Sequence, residues 1–117
     1  KLFKKGIVST DDEEIKDVAI KYGAEVPFTR PKKLSDDFTG THEVVGHAVK
    51  WLEDNGELMD YACCIYPTAP LIKKDDLIKG FKLIQTGKWI SVMAATNFSY
   101  PIFRSFKMFI FCIFSHL

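Results

Sequence analysis

Apolar residues recur along the chain with two periods, and the change from one period to the other predicts the order of the elements. Continuous apolar runs and short extended pieces predict strands at residues 6–9, 25–28, 60–66 and 89–95. Apolar residues spaced three and four apart predict helices at about 11–22, 41–55 and 74–86. Each helix is followed by a glycine, which is a common stop signal. This alternation predicts an α/β chain with a parallel sheet and helices on its faces.

Each predicted helix has one apolar face. In the first helix the face consists of Ile15, Val18, Ala19 and Tyr22. In the second it consists of Val44, Val45, Ala48, Val49 and Leu52, and in the third of Leu77, Phe81 and Ile84. Thr10 and Glu13 match a capping box, so we expect the first helix to begin after Thr10.

Composition restricts the class of protein. The 117 residues suffice for one small domain, and 47% apolar with 26% charged residues is ordinary for a globular chain. A net charge of +1 gives no overall basic field for nucleic acid. Cys63 and Cys64 lie in an apolar run, where packing is the expected role, and a reducing, cytoplasmic compartment fits the odd cysteine count. No secretory signal is visible, and the apolar residues 108–114 are too few for a membrane helix; they are either a buried strand or out-of-frame sequence.

A polar loop at residues 30–41 is the strongest candidate for ligand binding. It combines basic, acidic, hydroxyl and glycine residues directly before the second helix, whose first amides can receive an anion or a carbonyl oxygen. Three other polar segments, 9–12, 67–70 and 96–101, follow predicted strands. Because ligands of open α/β sheets bind outside the carboxyl ends of the strands, we expect these segments to share one rim.

Structural explanations exist for the same residues. Asp11 and Asp12 are ordinary helix-start carboxylates, and Thr39 and Thr41 are ordinary N-cap residues. Pro67 and Pro70 suit a stiff turn, and Arg30 can pair on the surface with Asp36 or Asp37. His42 and His47 are five residues apart, on different faces of a helix, so we expect no shared metal. Neither a Ser-His-Asp or Cys-His arrangement nor a glycine-rich phosphate loop is found in the 117 residues.

Four ordered segments carry a resemblance to a known family, and a fifth also fits one of its branches. They are residues 7–15, 22–26, 30–41, 64–70 and 99–102, the last followed by Arg104. Their amino-acid sequences resemble those of the acylneuraminate cytidylyltransferases, and within that family the pseudaminic acid branch. The resemblance covers residues 6–104; the residues before Gly6 and the tail 105–117 depart from it.

The resemblance implies a fold and an activity. The family has a Rossmann-like three-layer α/β sandwich with a mostly parallel sheet. It transfers CMP from CTP to a nine-carbon sugar acid of the pseudaminic or sialic acid type, with Mg²⁺ and release of pyrophosphate, for surface glycans. By resemblance, nucleotide-binding residues at the cytosine end are Arg30, Thr39, Gly40 and Thr41. The residues on the ribose and sugar side are Tyr66, Thr68 and Arg104, the last of which meets the sugar carboxylate.

The resemblance also implies a partial domain. The triphosphate-binding loop that opens the family, its metal-binding aspartate and its dimerisation insert have no counterpart in this sequence. We therefore expect residues 1–117 to be one partial nucleotidyltransferase domain, incomplete at both ends, without metal ligands and with no assigned catalytic residue. The expected partners are CTP and a sugar acid, without nucleic acid or membrane; a homodimer is an option for the full-length family. The alternative is an inactive, truncated relict or a fragment that binds a nucleotide or a partner.

Overall fold

The computed structural model describes residues 2–95 and the backbone of residues 112–116. Helices and strands are both present, which confirms an α/β chain, and the residues fall into two compact units that divide after Leu58. The helices are α1 (Glu13–Lys21), α2 (Thr41–Asp54) and α3 (Lys74–Ile84), with a 3₁₀ turn at Lys32–Leu34. The strands are β1 (Tyr61–Ile65), β2 (Ser91–Met93) and β3 (Cys112–His116).

Two parallel backbone bridges join the beginning of the first unit to the segment after α1. Ile7 bridges Glu25, and Thr10 bridges Thr29. The amide of Arg30 donates to the carbonyl of Thr10 over 2.8 Å. The strand and the extended piece that the sequence predicts at 6–9 and 25–28 therefore lie side by side and run in the same direction.

Helix α1 begins two residues later than the capping box predicts. Asp12 is the N-cap, and its Oδ1 accepts from the amide of Ile15 over 2.9 Å. The prediction that Thr10 and Glu13 form a capping box is wrong, because the side chain that accepts from a first-turn amide belongs to Asp12. The hydroxyl of Thr10 instead accepts from the amide of Asp12 over 3.1 Å.

The apolar face of α1 is not covered by the described residues. None of its side chains is buried, although the predicted face follows the helical period. Val18 is 55% exposed and Tyr22 83% exposed, and only Ala19 is half-buried. The pattern therefore identifies the helix correctly but not its packing.

Helix α2 contributes the core of the first unit. Val49 and Leu52 are buried, and the other predicted apolar positions are half-buried, which confirms its apolar face. The ring of Phe28 lies edge-on to the ring of His47, with centroids 4.8 Å apart, and 5.7 Å from Trp51. The segment that leads into the 30–41 loop is thereby packed against α2.

Lys5 ties the first residues of the chain to the same unit. Its ammonium pairs with Glu25 over 3.1 Å and with Glu57. The hydrogen bonds from these two carboxylates, that of Glu57 first, raise the pKa of Lys5 above its ordinary value. The residues before Gly6 therefore take part in the packing of the first unit.

The sheet of the second unit has the order β1-β3-β2, and its hydrogen-bonded pairs are antiparallel. Tyr61 lies opposite His116, and Ser91 lies opposite Ser115. Strands β1 and β2 therefore run in the same direction but do not pair with each other, because β3 lies between them, so the described residues of this unit do not form the parallel sheet that the sequence predicts. Strand β3 belongs to the tail 105–117, which falls outside the family resemblance, so its pairing could not be predicted from the motifs.

Helix α3 packs as its spacing predicts, whereas the strands are less buried than expected. Ile84 is fully buried, Leu77 is buried, and Phe81 meets Tyr61 edge-to-face with ring centroids 5.5 Å apart. No residue of β1 or β2 is buried, so the prediction of strands covered on both faces is wrong for the described residues. Continuous apolar runs indicate such strands only where layers cover both faces.

Candidate functional site

The guanidinium of Arg30 is held by two side chains at the start of the 30–41 loop. Its Nη2 donates to Asp11 Oδ1 and its Nε donates to Ser35 Oγ, each over 3.0 Å. The Ser35 hydroxyl donates in turn to the carbonyl of Pro31 over 3.2 Å. Only 25% of the Arg30 side chain is exposed, so this cation has a defined position rather than a range of solvated rotamers.

The partner of Arg30 corrects one prediction from the sequence. Arg30 pairs with Asp11, not with Asp36 or Asp37. The reason is the register of the first unit: Thr10 bridges Thr29, so the next residues, Asp11 and Arg30, leave the bridge side by side. The Arg30 hydrogen bond lowers the pKa of Asp11 below its ordinary value of 3.8.

Asp36 organises the middle of the loop. Its Oδ1 accepts from the amides of Phe38 and Thr39 over 3.0 and 2.7 Å, and from the Thr39 hydroxyl over 2.7 Å. The Thr39 hydroxyl also lies 3.2 Å from the carbonyl oxygen of Lys33. The Thr39 hydroxyl, followed by the two amides, lowers the pKa of Asp36. One carboxylate therefore fixes the backbone on both sides of Phe38, whose side chain is 95% exposed.

Gly40 is the N-cap of α2, so neither threonine caps the helix with its side chain, as the structural explanation from the sequence supposes. The amide of Gly40 donates to Glu43 Oε2, and the amide of Glu43 donates back to the Gly40 carbonyl, both over 3.1 Å. Thr41 is the first helical residue and is half-buried. Because Glu43 places a negative charge at this helix start, the turn suits a neutral polar group better than a phosphate.

Tyr66 and Thr68, predicted on the sugar side, lie in the turn after β1 in the second unit. The amide of Ala69 donates to the carbonyl of Tyr66 over 3.0 Å, and Ala69 is buried. Tyr66 is half-buried, and Thr68 is exposed.

The predicted rim is described only in part. The 9–12 segment and the 30–41 loop meet at the pair of Asp11 and Arg30. Residues 67–70 lie in the second unit, and Arg104, together with residues 96–101, lies outside the described residues. A single rim shared by all these segments stays a prediction.

The contacts of Asp11 and Ser35 with Arg30 are not predicted by the sequence patterns. Asp11 belongs to the 9–12 segment of the expected rim, with a helix start as the alternative, and Ser35 lies in the 30–41 loop without a role of its own. The signal lay in combining two predictions: parallel strands at 6–9 and 25–28 place the residues that follow them next to each other. The spacing of Arg30 and Ser35 could not show a contact before the 3₁₀ turn Lys32–Leu34 was known.

A metal site is not built by the described residues. Among them there is no group of three or more His, Cys, Asp or Glu side chains that could hold a metal ion. Across the same residues, no helix has the length and apolar character needed to cross a membrane.

Comparison with known proteins gives the family. The model of the cytidylyltransferase family matches residues 1–91, which includes the residues before Gly6 that the resemblance had left out. The chain is 43% identical over 107 residues to a pseudaminic acid cytidylyltransferase of Campylobacter jejuni subsp. jejuni serotype O:2, covering 92% of this chain and 46% of that protein. It is 31% identical over 101 residues to an N-acylneuraminate cytidylyltransferase of Escherichia coli O18:K1:H7, covering 86% of this chain and 23% of that protein.

A shorter match extends the range of relatives. A CMP-N,N'-diacetyllegionaminic acid synthase of Campylobacter jejuni is 46% identical over 55 residues, covering 47% of this chain and 23% of that protein. The chain spans about half the length of the pseudaminic acid relative. Since the family model matches well over half of its 117 residues, the chain belongs to the cytidylyltransferase family.

Proposed function

We propose that this chain supplies the nucleotide-reading part of an enzyme that transfers CMP from CTP to a nine-carbon sugar acid and releases pyrophosphate. The single observation that carries the proposal is the 30–41 loop, in which a three-quarters-buried arginine and a carboxylate-braced turn precede α2. The family match along residues 1–91 spans this loop. Identity over most of the chain favours pseudaminic acid over the N-acylneuraminate substrate.

The proposed role of the loop is to read the cytosine edge. Cytosine offers an exocyclic amine as donor and ring acceptors beside it. The guanidinium of Arg30 supplies donors only, and a backbone carbonyl of the Thr39–Thr41 turn supplies an acceptor, since the amides of Thr39 and Gly40 already donate to Asp36 and Glu43. Asp36 holds this backbone in place, so little ordering is needed when a base arrives. In this proposal Arg30, Thr39, Gly40 and Thr41 bind the base.

The sugar side of the proposal involves the turn after β1. Tyr66 and Thr68 offer a ring with a hydroxyl and a second hydroxyl, which suit the ribose and the hydroxyl-rich sugar acid. Arg104 would pair with the sugar carboxylate. We also propose that the complete domain has the Rossmann-like three-layer sandwich of the family. The parallel bridges of the first unit and the common direction of β1 and β2 support this fold.

Mg²⁺ enters this proposal with the substrate. Divalent cations bind nucleotide phosphates and keep several waters, so the ion would arrive as the complex of CTP. We further propose a cytoplasmic enzyme, because the reaction draws on a nucleoside triphosphate, and a homodimer for the full-length protein. Cell fractionation and light scattering of the full-length protein test these two points.

Nucleotide binding is the first test. Titration calorimetry of the chain with CTP should show binding that is at least about tenfold tighter than that of UTP, because the two bases differ in donors and acceptors at one edge. Arg30→Gln should weaken CTP binding, whereas Lys79→Gln, a matched loss of one exposed cation on α3, should not. Absence of CTP binding at millimolar concentration, with a folded chain, would overturn the proposal.

Turnover is the second test. CMP-sugar formation is assayed with CTP, Mg²⁺ and pseudaminic acid, and in parallel with N-acetylneuraminic acid. More product from pseudaminic acid than from N-acetylneuraminic acid supports the proposed enzyme and substrate. Tight and selective CTP binding without any product from either sugar supports instead a fragment that binds the nucleotide without catalysis.

A further inference from the structure

We propose that Asp11 is a positioning residue for nucleotide binding: with Ser35, it holds the Arg30 guanidinium in the orientation that reads the base. This inference rests on the proposed function and assigns a role to two residues outside the set that would touch the nucleotide. It starts from the three contacts that fix Arg30, one through its backbone and two through its side chain.

The contacts determine how much of the guanidinium remains for a ligand. An arginine side chain has five N–H donors in one plane, and Asp11 and Ser35 take two of them, so three remain. Because the two acceptors bind at Nη2 and Nε, the plane cannot rotate about the last side-chain bonds without breaking one of them. The remaining donors are therefore presented in one direction before a ligand binds, which is the basis of preorganised affinity.

Charge supports the same role. Asp11 neutralises the positive charge of Arg30, and Glu43 adds a negative charge at the start of α2. The neutral pair of Asp11 and Arg30 favours hydrogen bonding to an uncharged base edge over attraction of a phosphate. The hydrogen bond from Arg30 lowers the pKa of Asp11, in keeping with a carboxylate that is stabilised by this pair.

A purely stabilising role predicts a different outcome. Asp11 is 42% exposed, and exposed ion pairs contribute little to the free energy of unfolding. If the pair served stability alone, Asp11→Asn would lower the unfolding midpoint and leave the ratio of CTP to UTP affinity unchanged. If it serves positioning, the affinity ratio falls while the unfolding midpoint changes little.

The test is a double-mutant cycle read by calorimetry with CTP and UTP. We expect Asp11→Asn to weaken CTP binding about tenfold and to reduce the CTP preference, and Ser35→Ala to do so to a smaller extent. In the Arg30→Gln background, Asp11→Asn should have no further effect. Asp17→Asn, which makes the same chemical change on the exposed surface of α1, is the matched control and should bind CTP like the unaltered chain.

Each outcome separates the two proposals. If the unaltered chain binds CTP and Asp11→Asn binds it with the same affinity, the positioning role is overturned and the proposed function stays intact. Additive losses in the double mutant overturn it as well, because they show that Asp11 does not act through Arg30. Absence of CTP binding by the folded, unaltered chain overturns the proposed function and the positioning role together.

Discussion

Helices α1 and α2 both start beside the candidate site and follow the same apolar period, yet only α2 is buried. Leu52 of α2 is 5% exposed, whereas Val18 of α1 is 55% exposed. On one side of the site, Asp11 leads into α1, whose apolar face is not covered by the described residues. On the other side, Gly40 leads into α2, whose apolar face is packed. The period shows which face of a helix is apolar, but a second surface decides whether that face is buried.

Removal of apolar side chains from the two helices should give the largest difference. Leu52→Ala should lower the free energy of unfolding by about 2–5 kcal/mol, because it leaves a cavity in a packed core. Val18→Ala should change it by less than about 0.5 kcal/mol, as for other surface positions. Urea denaturation followed by circular dichroism measures both. A similar cost for the two substitutions would show that the face of α1 is covered in solution.

The starts of the helices should differ less. Asp12→Ala should lower the free energy of unfolding by about 1 kcal/mol, because the amide of Ile15 loses its acceptor at the start of α1. Asp12→Asn is the matched control and should have the same free energy of unfolding as the unaltered chain, since asparagine caps a helix as well as aspartate does. The measurement is again the urea midpoint. An equal loss in both variants would assign the effect to charge rather than to the cap.

Two glycines on the α2 side separate stability from ligand approach. Gly46 lies inside α2 with open space around its Cβ position, so Gly46→Ala should raise the free energy of unfolding by about 0.5–1 kcal/mol. Gly40 has an ordinary φ of −71° and equally open space. Gly40→Ala should therefore fold normally but weaken CTP binding, if a base approaches this turn. Unchanged CTP affinity in Gly40→Ala would remove Gly40 from the base-binding residues.

The smallest expected effect is a dependence of stability on acid pH. The pKa values of Asp11 and Asp36 are lowered in the folded chain, so their contribution to stability is present above the ordinary aspartate value and is lost as the pH falls through the folded values. Thermal unfolding between pH 7 and pH 3 should show this loss. In Asp11→Asn and in Asp36→Asn, the unfolding temperature should depend less steeply on pH below about pH 4. A curve as steep as that of the unaltered chain in both variants would contradict the assignment.

Sequence patterns predict most of the helices and strands of this chain but not which of their faces are buried. The three helices were placed within a few residues, and the glycines at their ends have positive φ values at Gly23, Gly56 and Gly87. These signals are local, since spacing and stop residues act within one or two turns. The burial of β1 and β2 and the exposure of α1 depend on distant surfaces, which local patterns do not contain.

The site shows the same division. The residue order of the 30–41 loop predicts nucleotide binding by Arg30, Thr39, Gly40 and Thr41, which stays a prediction. The residue order was not enough to find the acceptor of Arg30, because Asp11 is 19 residues away in the chain. Arg30 has nearer carboxylates in the loop, but Asp36 is already engaged by the amides of Phe38 and Thr39.

The sequence by itself determined the periods of the helices, the position of the polar loop and the family to which its motifs belong. These follow from residue order over short distances, where propensity, capping and spacing act. Only the tertiary structure decided that Asp11 holds Arg30, that Asp12 rather than Thr10 caps α1, and that β3 lies between β1 and β2. The contact of Asp11 and the place of β3 depend on backbone pairing between segments far apart in the chain, and such pairing is fixed by register rather than by local composition. The cap depends on which side chain reaches the first amides of the helix, and spacing alone leaves two candidates.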